Sequence, residues 1–180
     1  MGKLAELTDN GIKIHLFTGN HDMWMFRYFE QELGIDISRK PVVKEINGLK
    51  ILIGHGDGLG PGDYGYKMIK KIFASKTCQW LYARLHPNFA MGLGLFFSRR
   101  SRLARGDIDR IYKGDNGERL IVYAKEMLKK EHFDLFVFGH RHLPIDLKIG
   151  ENSRYINLGD WLQHFSYALL DGKDFITKKY

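Results

Sequence analysis

Phe133-Asp134-Leu135-Phe136-Val137-Phe138-Gly139-His140-Arg141-His142 is the stretch that decides the fold. Six residues of mostly apolar, strand-type character stop at a glycine, and two imidazoles follow at once. Just upstream, Gly117 to Lys130 places Leu120, Ile121, Ala124, Met127 and Leu128 on one helical face. A helix feeding a buried strand that ends in metal-capable side chains predicts an α/β domain with a site at the strand ends. The same grammar occurs twice more. Ile12-Lys13-Ile14-His15-Leu16-Phe17 reads as a strand and runs into Thr18-Gly19-Asn20-His21-Asp22. Leu49-Lys50-Ile51-Leu52-Ile53 runs into Gly54-His55-Gly56-Asp57-Gly58. Asn47-Gly48 lies between that second strand and Val42-Val43-Lys44-Glu45-Ile46, a strong hairpin signal.

Away from these strands the pattern changes. Gly60-Pro61-Gly62 breaks the chain, and residues 59–116 read as a helical insertion, with helices expected around 64–76, 78–86 and 88–97. The whole, residues 1–180, reads as one domain carrying that insertion. A further helix is expected from Trp24 to Leu33, stopped by Gly34. Beyond the last histidines, Ile145 to Ile149, Arg154 to Leu158 and Tyr167 to Leu170 read as short strands.

Composition narrows the classes. Hydrophobic residues at 44% and charged residues at 27% are globular values and exclude wholesale disorder. A single cysteine, Cys78, excludes a disulfide-stapled scaffold and fits a reducing, cytoplasmic compartment. No apolar run of about 18 residues predicts a membrane-spanning helix, and Met1 to Glu6 lacks the apolar core of a signal peptide. The net charge of +7 is uneven: residues 67–130 hold 15 Lys and Arg against 5 Asp and Glu, a local +10, so the rest carries −3. A basic stretch of this kind attracts phosphate-rich partners. Without a helix-turn-helix or finger pattern, nucleic acid is not the expected one.

The three strand-end clusters supply an amide oxygen and imidazoles, donors suited to Mn²⁺, Fe²⁺ or Zn²⁺. His140 and His142 are two apart and would point oppositely from an extended chain. They need either a loop conformation or two adjacent ions. Asp22, Asp57 and Asp63 are candidates to orient a histidine through its other ring nitrogen, or simply to cap loops. Ser98-Arg99-Arg100-Ser101-Arg102 is the sharpest basic cluster of the insertion. Three readings suit it: a solvated helix face, a lid whose arginines grip phosphate while aromatics hold acyl chains, or a peripheral membrane contact.

Gly19-Asn20-His21-Asp22, Gly54-His55 and Gly139-His140-Arg141-His142 resemble, in order and strand context, the third, fourth and fifth motifs of the calcineurin-like metallophosphoesterases. The resemblance covers about residues 12–170. It implies an αββα sandwich with mixed sheets and two divalent metal ions, expected to be Mn²⁺. It implies that Asn20, His55 and His140 bind one ion, that His142 binds the other, and that His21 assists the leaving oxygen. His55-Gly56-Asp57-Gly58-Leu59 with Asp63-Tyr64, the insertion, and Ile156-Asn157-Leu158-Gly159-Asp160-Trp161 resemble the UDP-2,3-diacylglucosamine diphosphatase branch of lipid A synthesis. Many of that branch have Arg where this chain has His21. The branch cleaves a UDP-linked acylated glucosamine at its pyrophosphate, giving UMP and lipid X, at the cytoplasmic face of the anionic inner membrane. Arg99, Arg100 and Arg102 would then contact substrate. Other metallophosphoesterases, acting on nucleotides or phosphoproteins, share the motifs, and a non-catalytic basic fragment that binds anionic surfaces shares the charge. The family's Asp-x-His and Gly-Asp-x-x-Asp motifs should precede residue 12 and do not occur here. The resemblance therefore implies the C-terminal two-thirds of an enzyme, with little turnover expected from these 180 residues alone.

Overall fold

A computed structural model describes residues 1–105 and 111–180, with residues 101–105 described by their backbone alone. Its centre is a five-stranded mixed sheet in the order β3-β4-β5-β7-β6. The strands are β3 (Val42–Ile46), β4 (Leu49–Gly54), β5 (Leu135–Phe138), β6 (Pro144–Lys148) and β7 (Arg154–Leu158). The β3–β4 hairpin closes on Asn47 and Gly48, both with positive φ (55° and 77°), the geometry a two-residue turn requires. β4, β5 and β7 run parallel, with Gly54 opposite Phe138 and Phe138 opposite Asn157. This register brings the ends of β4 and β5, and so His55 and His140, to one rim.

The two faces of the sheet bury different side chains, as a period of two demands. One face packs Leu52, Phe136, Phe138 and Tyr155 against Leu120, Ile121 and Ala124 of α6 (Arg119–Leu128). The other packs Ile51, Leu135, Val137 and Ile156, with Leu170 and Phe175 of the hairpin β8 (Ser166–Asp171) and β9 (Asp174–Lys179) laid over them. Leu135 to Phe138 are all buried, so β5 is the sheet's interior strand on both sides. Each such Phe or Ile contributes about 1.5–3 kcal/mol of burial, which fixes the strand ends that carry the site.

A second, two-stranded parallel sheet joins β1 (His15–Phe17) to β2 (Asp36–Ser38), with His15 opposite Asp36. Neither β2 nor α1 (Gly2–Asp9) is among the elements the residue pattern predicts. The helix expected from Trp24 begins only at Tyr28, as α2 (Tyr28–Leu33), and Gly34 ends it in the left-handed conformation. Local bonds explain the late start. Arg39 donates to the carbonyls of Met23 (2.8 Å) and Met25 (2.6 Å). Trp24 Nε1 donates to the carbonyl of Phe73 (2.8 Å). Those partners hold the segment in an irregular turn.

Between β4 and β5 the chain leaves the sheet as α3 (Tyr64–Ala74), α4 (Lys76–Tyr82) and α5 (Pro87–Arg105). These occupy the segments read as helical, with the last one longer than expected. They are thinly packed. Tyr64, Met68, Trp80, Leu81, Phe89, Met91, Phe96 and Phe97 are all more than half exposed.

Candidate active site

Asn20, His55 and His140 come together. Asn20 Oδ1 lies 3.3 Å from His55 Nε2, and the rings of His55 and His140 have centroids 5.3 Å apart, edge to face. The glycine of the first motif makes this possible. A Cβ on Gly19 would sit 2.7 Å from His55 Cε1 and 2.8 Å from Nε2, so any side chain there would displace the ring. Gly19 N–H also donates to Asp22 Oδ1 at 2.5 Å, closing the turn that presents Asn20. His21 and Asp22 are exposed beside it.

The spacing puzzle of His140 and His142 has a structural answer. Both adopt left-handed backbone conformations, φ 67° and 52°, with Arg141 between them. The segment is therefore a loop, and the two rings are no longer forced to opposite sides. Left-handed conformations cost a non-glycine residue about 1–2 kcal/mol each, so the surroundings must hold them. Gly139 N–H donates to the His55 carbonyl (3.0 Å), Arg141 N–H to the Gly139 carbonyl (2.8 Å), and buried Asn157 Nδ2 also donates to that carbonyl.

Electrostatics favour a neutral imidazole at His55. Burial lowers its pKa below the ordinary histidine value. Asp57 and Asp22 pull the other way, while Lys70 and His142 reinforce the fall. Asp57 is itself buried, which opposes its ionisation, yet hydrogen bonds from Lys70 and Tyr66 outweigh burial and hold its pKa below the usual carboxylate value. The contacts are short: Tyr66 Oη to Asp57 Oδ2 at 2.5 Å and Lys70 Nζ to the same oxygen at 2.7 Å. Asp57 thus ties α3 to the His55 loop. Asp63 stands at the start of α3 in a left-handed conformation (φ 53°) and pairs with Arg119 at 2.6 Å. A cavity of about 110 Å³ opens beside His55, bordered by Thr18, Arg39, Lys40, Asp57 and Lys70.

His142 is exposed, and its Nδ1 lies 3.4 Å from Asp160 Oδ2. From sequence, Asp160-Trp161 is expected to close the site floor or to pack the last strands. The structure makes Asp160 the hub of the last loop. Burial would raise its pKa, but backbone N–H donations from His164, Gln163 and Leu162 bring it down to about 2. The sequence signal for this is Gly159-Asp160 after a strand, since an Asp opening a tight turn commonly accepts from the residues just after it. Arg99 and Arg100 are exposed on α5. The side chain of Arg102 lies outside the described residues.

One amide oxygen and two imidazoles, one of them held neutral by burial, fit a borderline divalent ion in donor chemistry. Carboxylates are what the set lacks. Among the described residues no group of three or more His, Cys, Asp or Glu is arranged to hold a metal ion.

The five-stranded sheet brings two Gly-His motifs to one rim, the loop after β1 of the smaller sheet sets Asn20 against them, and the arrangement is that of a hydrolase of the metallophosphoesterase class. No family model matches the chain. Three similar proteins bear the name UDP-2,3-diacylglucosamine hydrolase. The one from Porphyromonas gingivalis is 34% identical over 194 residues, covering 99% of this chain and 72% of that protein. Those from Aeromonas salmonicida and Aeromonas hydrophila are 28% and 26% identical, over 90% and 92% of this chain. The chain spans 63% and 68% of their respective lengths. The chain belongs to the UDP-2,3-diacylglucosamine hydrolase family of metallophosphoesterases, whose chemistry uses divalent metal ions.

Proposed function

We propose that the protein hydrolyses the pyrophosphate bond of UDP-2,3-diacylglucosamine, releasing UMP and the diacylglucosamine 1-phosphate lipid X. The observation that carries this reading is the convergence of Asn20, from the loop after β1, with His55 and His140 at the rim of the five-stranded sheet. These three would hold one divalent ion, taken as Mn²⁺, and His142 would contribute to a second. Bound ions of this kind offset phosphate charge and make water a competent nucleophile at neutral pH. The chain's own groups do the rest. His21, open to solvent one residue beyond Asn20, protonates the leaving oxygen or binds it as a cation. Arg39, Lys40 and Lys70 border the cavity beside His55 and attract the anionic pyrophosphate. Asp57 and Asp63 hold the loop after His55 in place.

Helices α3 to α5 form the lid over residues 59–116. An open groove of about 520 Å³ runs along α3, bordered by Tyr64, Met68, Ala74 and the stems of Lys67, Lys70 and Lys71. An apolar floor with ammonium heads at its margin suits an acyl chain attached to a phosphate. Exposed Phe89, Phe96 and Phe97 share α5 with Arg99 and Arg100, which favours peripheral contact with the anionic inner membrane from the cytoplasmic side. No helix among the described residues is long and apolar enough to cross a membrane.

The test is direct. The full-length protein is incubated with UDP-2,3-diacylglucosamine and Mn²⁺, and UMP is separated by chromatography. UMP should form and should vanish in His140→Ala. Equal hydrolysis of simple nucleotides or phosphopeptides would move the protein to another metallophosphoesterase activity. No hydrolysis of any phosphoester would leave a basic module for anionic surfaces.

A further inference from the structure

Glu118 is almost wholly buried, at 1% exposure, and stands just before the first turn of α6. Both of its carboxylate oxygens are engaged. Arg141 Nε donates to Oε2 at 2.8 Å, and an Arg141 terminal nitrogen donates to Oε1 at 2.9 Å. Lys113 N–H also donates to Oε1, at 3.1 Å. The same Arg141 nitrogen reaches the Ile111 carbonyl at 2.9 Å. This is a two-pronged guanidinium–carboxylate fork, the arrangement that fixes orientation as well as distance. One end is anchored to the sheet's core through Leu120, Ile121 and Ala124 of α6. The other end is the middle residue of His140-Arg141-His142, flanked on each side by a left-handed histidine.

We propose that Glu118 is a positioning residue that acts through Arg141 to set the directions of the His140 and His142 rings. Arg141 faces away from solvent, 9% exposed, and points into the helix terminus. Holding that one side chain inward obliges its two neighbours in the loop to project elsewhere. A Lys in its place could keep the charge but not the planar fork. An uncharged Gln in place of Glu118 could accept from only one prong. The inference deepens the reading of His140 and His142 as ligands and rests on it for function, though not for geometry.

The test compares wild type, Glu118→Gln and Arg141→Lys as full-length proteins, with two measurements. The first is long-range ¹H–¹⁵N correlation of the imidazoles in metal-free protein. The second is Mn²⁺ affinity by titration. The expected result is that His140 and His142 cross-peaks move in both variants while those of His15 and His132, away from the loop, stay. Mn²⁺ affinity should fall roughly 10- to 100-fold, as for loss of a group that orients a ligand. Unmoved His140 and His142 signals would overturn the proposal. So would movement of all four histidines together, or failure of both variants to fold, since either marks general support of the fold. If only Glu118→Gln fails to fold, Arg141→Lys decides by the same criteria. Wild-type protein that binds no Mn²⁺ would sink the metal reading alone, and the imidazole signals would still decide the clamp.

Discussion

Replacing Asp57 with Asn removes one charge and changes little else in size. Asp57 is 6% exposed and its carboxylate accepts from Tyr66 at 2.5 Å and Lys70 at 2.7 Å. Hydrogen bonds to a charged group contribute about 1.5–3 kcal/mol each. Asn retains one acceptor, so the Tyr66 bond is weakened rather than lost. Lys70 is about one-third exposed and recovers some hydration when released. The net loss at pH 7 should be about 2–3 kcal/mol. For a chain of this size each kcal/mol moves the midpoint by about 2–4 °C, so the melting temperature should fall roughly 4–12 °C. The sign with pH follows from the folded Asp57 pKa lying below its ordinary value. Its contribution is fully present above the ordinary carboxylate pKa and disappears as pH falls through the lowered one. The two stability curves should therefore separate at neutral pH and converge in acid. A double-mutant cycle with Lys70→Met should give a coupling of about 1–2 kcal/mol. Urea unfolding at several pH values measures all of this. Equal stability at pH 7, a gap that persists in strong acid, or an additive cycle would refute the account of Asp57 as the tether of α3.

Asp160→Ala should destabilise the protein by about 1 kcal/mol at pH 7. A pKa lowered from 3.8 to about 2 corresponds to about 2.4 kcal/mol, and the exposed donors Leu162 and Gln163 recover part of it by binding water once the carboxylate is gone. The deficit should be present above about pH 4 and shrink as pH falls toward 2, read from acid-unfolding curves. Replacing Arg99, Arg100 and Arg102 with Ala should raise KM for the anionic lipid substrate several-fold while leaving hydrolysis of a small chromogenic phosphodiester unchanged. Equal losses for both substrates would indicate damage to the fold, and no loss a solvated helix face.

The strand-to-glycine-to-histidine grammar was readable because three independent constraints coincide in it. Buried strands need apolar runs, a close approach needs glycine, and metal chemistry needs imidazole or amide donors. Hence β4, β5 and the meeting of Asn20, His55 and His140 follow from the residues. What escaped the sequence is of a different kind. β2 is three residues long, Asp36–Ser38, and exists because β1 offers it a partner, not because its residues favour strand. β9 carries Lys178 and Lys179 on an open hairpin edge, which blurs its alternation. Trp24 to Arg27 has helical composition, but Arg39 and the Phe73 carbonyl capture its polar groups. Glu118 reads as one more helix-end carboxylate until Arg141, 23 residues later, is seen to fill it. Long-range polar pairing leaves no periodic trace, so it is the part of a site that sequence pattern conceals.

These long-range bonds also explain how a thinly packed helical segment can serve a rigid site. α3 is pinned near its start where Lys67 Nζ donates to the Gly60 carbonyl at 2.6 Å and Lys70 and Tyr66 hold Asp57. Near its end, the Phe73 carbonyl accepts from Trp24, three residues beyond His21, and the Trp24 ring packs edge-on against Tyr82 of α4. One helix thus bridges the His55 loop and the His21 loop, which arise from separate sheets. Its outward face stays apolar and exposed at Met68, Ile69 and Ile72. Apolar burial on that outer face would draw on surface the fold itself leaves uncovered, while the polar bonds on the inner face keep the two loops in register. On the proposed reading an acyl chain would rest on Met68 and the lysine stems, while the Nζ atoms of Lys67 and Lys70 go on bracing the His55 loop through the Gly60 carbonyl and Asp57.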